Sequence, residues 1–188
     1  MVFAVMRRIG LLAFVLLLFA GLASAQVPGG NVFFGYSYYN TDLSSAGRAN
    51  TNGWEASVEG KLVPFLGIVA DFDSHYGSQN FVVSCLECGF SSSVNANVTA
   101  YNFLLGPRVS ASVGKFRPFA EALFGGGHVS VNNGVGTDFS FATALGGGLD
   151  YKIIKPIAVR LQGDYVRTSF FGGTQDNVRI STGIVLRF

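Results

Sequence analysis

The chain has 188 residues, with 13 lysines and arginines against 11 aspartates and glutamates. Two of the 13 basic residues, Arg7 and Arg8, fall in an apparent export signal, which leaves 11 of each sign and a neutral remainder. A neutral chain argues against a nucleic-acid partner, which calls for a clustered basic surface. Charged residues are 13% of the sequence, where a typical soluble domain carries about 25%.

The export signal comes first. Arg7 and Arg8 precede the apolar run 9–20, and Ala23-Ser24-Ala25 is a small-residue cleavage site. Residues 1–25 are therefore predicted to be removed, leaving 26–188 as one domain. The apolar run is too short for a membrane helix, and no cysteine follows the cleavage site to carry a lipid.

Period-two alternation then predicts eight strands. The first is about 32–39, with Phe34, Tyr36 and Tyr38 against Gly35 and Ser37. The second, 53–62, sets Trp54, Ala56, Val58 and Leu62 against Glu55, Ser57, Glu59 and Lys61. The third, 66–74, sets Leu66, Ile68, Ala70 and Phe72 against Val69, Asp71 and Asp73. The fourth, 98–109, carries Tyr101, Phe103, Leu105 and Val109 against Ala100, Asn102, Gly106 and Arg108. The fifth, 116–129, carries Ala120, Ala122 and Phe124 against Arg117, Phe119 and Glu121. The sixth, 139–151, sets Phe139, Phe141, Leu145, Leu149 and Tyr151 against Ser140, Ala142, Ala144, Gly146 and Asp150. The seventh, 157–168, sets Ile157, Val159, Leu161 and Tyr165 against Arg160, Gln162 and Asp164. The eighth, 178–188, alternates Val178, Ile180, Thr182, Ile184, Leu186 and Phe188 with Arg179, Ser181, Gly183, Val185 and Arg187.

The connections alternate in length. Short turns fall near 63–65, 110–115 and 152–156; longer loops fall near 40–52, 75–97, 130–138 and 169–176. Short turns at one end and long loops at the other are the asymmetry of outer-membrane barrels. The faces are unequal too. One is bulky and aromatic, while the other mixes charges with Gly, Ala and Ser. An eight-stranded barrel has room inside only for side chains, so small and paired charged residues suit the lumen and bulky apolar ones suit lipid. Burying this many charges in a soluble core is costly unless all are paired. The predicted fold is all-β: an eight-stranded antiparallel up-and-down transmembrane β-barrel.

The segments Phe34-Gly35-Tyr36-Ser37, Arg117-Pro118-Phe119-Ala120-Glu121-Ala122, Leu145-Gly146-Gly147-Gly148-Leu149-Asp150-Tyr151 and Gly183-Ile184-Val185-Leu186-Arg187-Phe188 occur in that order. Together they resemble the outer-membrane β-barrel domain family, the OmpA-like transmembrane domains and small opacity-type surface proteins. The resemblance implies the outer membrane of a Gram-negative-type bacterium, contact with its lipid, and assembly by its insertion machinery. That machinery reads a C-terminal strand ending in Phe, and Phe188 matches. With nothing after Phe188, tethering to the cell wall through a peptidoglycan-binding domain is not implied.

Glu55, Glu59, Lys61, Asp71, Asp73, Arg108, Glu121, Asp150, Arg160, Asp164, Arg179 and Arg187 are the candidate lumen charges. Both signs occur in similar numbers, so pairing across a narrow lumen predicts a salt-bridged plug. Asp164 and Arg179 are expected to meet diagonally between neighbouring strands. Glu121 is expected opposite Gly146, with room for Arg108 or Arg160. Cys85 and Cys88 lie in the longest predicted loop, where an oxidising setting favours a disulfide. Neither cysteine groups with His75 or His128 as a metal set, and no cofactor is implied. The glycine runs 125–127 and 146–148 lack the Lys-Ser/Thr that follows a phosphate loop.

His128, Ser130 and Asp138 form a remote catalytic candidate, because some outer-membrane barrels modify lipid A with a lipid-facing Ser/His pair and an acid. The expectation is no enzymatic activity. The reading carried forward is a structural or surface-interaction barrel, a monomer whose loops, above all 81–97, meet an unnamed ligand or cell. The alternative is a porin-like channel for ions or small solutes.

Overall fold

The computed structural model describes residues 29–42, 48–85, 90–131 and 136–188. The export segment and Cys88 lie outside them, as does the side chain of Cys85. The eight strands are β1 (Gly30–Asp42), β2 (Arg48–Val63), β3 (Leu66–Cys85), β4 (Phe90–Ser110), β5 (Phe116–Val131), β6 (Gly136–Lys152), β7 (Ile157–Thr168) and β8 (Gln175–Arg187). Each pairs antiparallel with the next, and β8 returns to β1, closing the barrel. Closure leaves no sheet edge along the barrel wall.

The seam is closed at its end by the last residue. The Phe188 N–H donates to the Gly30 carbonyl at 3.1 Å, and the Gly30 N–H donates to the Phe188 carbonyl at 3.0 Å. Both ends of the described barrel therefore lie beside the short turns after β2, β4 and β6. The alternation holds around the wall. Residues such as Phe34, Phe103, Phe141, Leu145, Leu161 and Ile184 are exposed, while Glu55, Asp71, Arg108, Arg160 and Arg179 are buried. The barrel is inside-out relative to a soluble one: its exterior is an apolar band and its interior is polar.

Two sequence expectations change. The strands are longer than the apolar alternation suggested, so most of the predicted long loops become strand. The largest change is in 75–97: β3 and β4 stay paired from His75↔Ala100 out to Cys85↔Phe90. β2 leaves β3 after Tyr76, and β5 leaves β4 after Val98. Among the described residues, the hairpin beyond that point has no flanking strand, and it adds about 25 Å of strand length. Ladder hydrogen bonds need no apolar face, so Ser/Asn-rich sequence can extend a hairpin that reads as loop.

The second change concerns the lumen. Phe33, Tyr39, Leu104 and Leu123 are buried alongside the charges, together with Val69, Phe119 and Val185, which the alternation had already set on the charged face. Large residues are not confined to the outer face, because the interior must also be filled to near-crystalline density.

Candidate functional site: the charged lumen

Every charge assigned to the lumen from sequence lies inside the barrel, with Arg187 and Lys61 nearest the short-turn opening. Odd-numbered β2, β3, β5 and β8 positions and even-numbered β4, β6 and β7 positions point inward. That register brings residues distant in sequence onto the same level.

At the short-turn end the Lys61 Nζ lies 2.7 Å from Glu59 Oε1 and donates to Ser110 Oγ at 2.6 Å. Glu59 also receives Asn31 Nδ2 at 2.6 Å, Arg117 Nη2 at 3.2 Å and Arg108 Nη1 at 3.4 Å. Asp150 holds Arg160 Nε at 2.7 Å and Arg187 Nη2 at 3.1 Å. Two buried aromatics, Phe33 and Phe119, belong to this tier. The Arg108 guanidinium lies 4.4 Å from the Phe119 ring centroid, and that of Arg160 lies 4.6 Å from Phe119 and 5.0 Å from Phe33. A cation over an aromatic face gains attraction where few hydrogen-bond acceptors fit.

The middle tier joins neighbouring strands and, through Gln162, strands that do not touch. Arg108 Nη2 lies 2.5 Å from Glu121 Oε2. Glu121 faces Gly146 in the β5–β6 register, as expected, and its partner is Arg108 directly across the β4–β5 pair. The Gln162 amide donates to Glu121 at 2.9 Å, Asp164 at 2.9 Å and Glu55 at 3.1 Å.

Arg179 forms the hub above. Its Nη1 donates to Asp71 at 2.8 Å and to Asp73 at 2.6 Å, and its Nε donates to Asp164 at 2.9 Å. Glu55 stands 3.5 Å from Nε. Asp164 and Arg179 sit directly opposite in the β7–β8 register, which corrects the diagonal expected from sequence. Charged, forked hydrogen bonds of this kind are the strong ones. Asp73 further contacts His75 Nδ1 at 3.1 Å, and His75 Nε2 lies 2.9 Å from Ser37 Oγ. His75 is thus a buried lumen residue and not part of a loop; its ring lies 4.7 Å from that of Tyr39, tilted by 33°. Among the described residues no group of His, Cys, Asp and Glu is placed to hold a metal.

An apolar cluster that includes Tyr39, Val69, Leu104, Leu123 and Val166 packs beside the hub, Tyr39 in register with Arg179 and Leu104 with Asp71. Beyond it the segment after β7 turns back over the opening. The Phe170 ring comes down on Gly127, where a Cβ would sit 2.9 Å from that ring and 2.6 Å from Asn102 Oδ1. Gln175 clasps Phe170, accepting from its N–H at 2.9 Å and donating to its carbonyl at 3.0 Å. The Ser169 N–H donates to Ser140 Oγ at 3.1 Å.

Sequence reasoning missed Arg117, Gln162, Asn31 and His75. The first two carried a usable signal, since Arg117 shares parity with Glu121, and Gln162 with Arg160 and Asp164. The catalytic candidates are not assembled. His128 and Ser130 pair with Phe139 and Thr137 on the outward face, while Asp138 pairs with the buried Val129 on the opposite parity. Asp138 instead accepts the Phe139 N–H at 2.9 Å and the Phe171 N–H.

An eight-stranded closed barrel with an apolar exterior and a charged interior has the fold of the small outer-membrane β-barrels. Solved structures bear this out. Neisserial surface protein A matches with a TM-score of 0.66 at 13% identity, over 85% of this chain and 97% of that one. Ail, the attachment invasion locus protein of Yersinia pestis, matches with a TM-score of 0.58 at 15% identity, over 85% and 98%. The N-terminal β-barrel domain of Pseudomonas aeruginosa OprF matches with a TM-score of 0.51 at 13% identity, over 85% and 96%. The sequence matches no family model and no curated protein.

Proposed function

We propose that this chain is a plugged barrel of a bacterial outer membrane that acts through its long-loop end, as a surface-interaction protein and not as a channel. The observation that carries the plugged reading is the lumen network. Six basic side chains and seven carboxylates interlock from Lys61 at one end to His75 and Asp73 near the other. Phe170 folds over the opening beyond them. The exposed apolar wall supports the membrane setting, because a band of this kind is stable against lipid and a liability in water. Phe188, closing the seam with Gly30, fits a role as the residue read during insertion.

The surface reading rests on the β3–β4 hairpin, the longest excursion from the barrel among the described residues. An isolated two-stranded ribbon is marginally stable, so its extension beyond the wall is better explained by a contact than by barrel stability. Residues 78–97 lie on one excursion, so they can be removed and Gly77 rejoined to Val98, which already pairs with it. The shortened protein is expected to keep a compact, heat-modifiable barrel on electrophoresis. Cells displaying it are expected to lose most adhesion or aggregation conferred by the full chain. Undiminished adhesion with the shortened hairpin displayed at equal level would overturn the surface reading. A disulfide between Cys85 and Cys88, which fall at the end of β3 and between β3 and β4 in the sequence, is proposed as well.

A further inference from the structure

The two ends of the barrel differ in charge. At the short-turn end, the turn after β4 and the turn after β6 are joined by a backbone hydrogen bond from Lys152 N–H to the Lys115 carbonyl at 2.8 Å. This sets Lys115 and Lys152 side by side, and Lys155 follows in the second turn. Lys115 and Lys155 are exposed and Lys152 is half-buried. None of the three pairs with an acid among the described residues. The nearest carboxylates by position, Glu59 and Asp150, are buried and already engaged by Lys61, Arg117, Arg108, Arg160 and Arg187. The opposite end is mixed: Arg167 pairs with Asp176 at 2.8 Å, and Arg48 donates to the Asp176 carbonyl at 3.1 Å.

The lysines stand beside an amphipathic fringe. The Phe116 and Tyr151 rings pack 5.2 Å apart directly above them on β5 and β6, and Ile153 and Ile154 are exposed in the second turn. Aromatic rings at the border of an apolar band mark the headgroup level. Cations just beyond that border therefore sit at the depth of lipid phosphates.

We propose that Lys115, Lys152 and Lys155 bind the headgroups of anionic phospholipids in the leaflet facing the short-turn end. The inference rests on the reading of the chain as a membrane barrel. The occupant is chosen by charge complementarity: three cations that pair with no acid among the described residues, at phosphate depth, against a surface that presents phosphates. Each lysine near an anionic membrane surface contributes roughly fivefold in partition.

The test uses the refolded barrel in bilayers of equimolar phosphatidylglycerol and phosphatidylethanolamine, extracted gently, with retained lipids counted by native mass spectrometry. The wild-type protein is expected to retain phosphatidylglycerol over phosphatidylethanolamine by about tenfold. The K115Q/K152Q/K155Q variant is expected to bring that ratio close to one, and R48Q, at the other end, to leave it unchanged. A wild-type ratio near one, or an unchanged ratio in the triple variant, would overturn the proposal. Displacement of the lipid by excess inorganic phosphate would also overturn it, since that identifies a phosphate site and not a membrane contact. Heat-modifiable mobility and protease protection in the same bilayers are scored separately. Their loss in the wild-type protein contradicts the membrane barrel itself; their retention with no lipid preference contradicts only the lysine contact.

Discussion

Replacing Arg179 with methionine is expected to destabilise the barrel by about 3–5 kcal/mol, the usual cost of removing one partner from a buried ion pair. Arg179 is fully buried and is the one cation touching Asp71, Asp73, Asp164 and Glu55 among the described residues. Methionine fills a similar volume, so the loss reports stranded charge and not a cavity. R179K keeps the charge but not the fork that reaches carboxylates on β3 and β7 together, and an intermediate loss is expected. R167M serves as the control, because Arg167 and Asp176 are exposed at the long-loop end, where solvent screens the pair, and little change is expected. Urea unfolding in vesicles, followed through the fluorescence of the single tryptophan, Trp54, measures all three. A change below about 0.5 kcal/mol for R179M, against the stated 3–5 kcal/mol, would remove Arg179 from its place at the hub.

The second large effect is expected at Gly146, for steric reasons. A Cβ there would lie 2.0 Å from Asp164 Oδ1 and 2.4 Å from the Gly163 carbonyl oxygen. The carbonyl belongs to the wall and cannot swing away, and Asp164 is held by Arg179 and Gln162. Gly146→Ala must therefore push β6 from β7 or break the hub, and a loss of about 1–3 kcal/mol is expected from overpacking. Gly163, on the outward face of β7, has nothing within 4 Å of the corresponding position. Gly163→Ala is expected to be neutral or slightly stabilising in the same assay. Equal effects at the two glycines would show that lumen crowding does not decide the outcome.

The parity of the closing strand carried most of what could be read in advance. Val178 to Phe188 alternates without interruption, so Arg179 and Arg187 fall inward and Ile180, Ile184 and Leu186 outward, as the barrel places them. The same alternation brought Glu121 opposite Gly146. Strand ends were not legible. His75 continues the inward series of Asp71 and Asp73, but the Gly, Ser and Asn that follow it have the composition of a loop. There the chain is held by ladder hydrogen bonds to β4, which leave no trace in hydrophobic alternation. Phe33 was hidden for a different reason. Its ring lies beneath the Arg160 guanidinium, and only the closed register places a ring from β1 under an arginine from β7. Phe119 already shared the parity of Arg117 and Glu121; what alternation does not show is that its ring lies under Arg108 and Arg160. Arg117 and Gln162 are simple omissions, since each lies on the inward parity of a strand already recognised.

The proposed plug is the set of ion pairs that spans the lumen from Lys61 to Asp73. Single-channel recording in planar bilayers tests it most directly. The purified protein, inserted as a compact heat-modifiable barrel, is expected to give no steady large conductance at neutral pH. A steady, large conductance from every inserted molecule would contradict the plugged lumen.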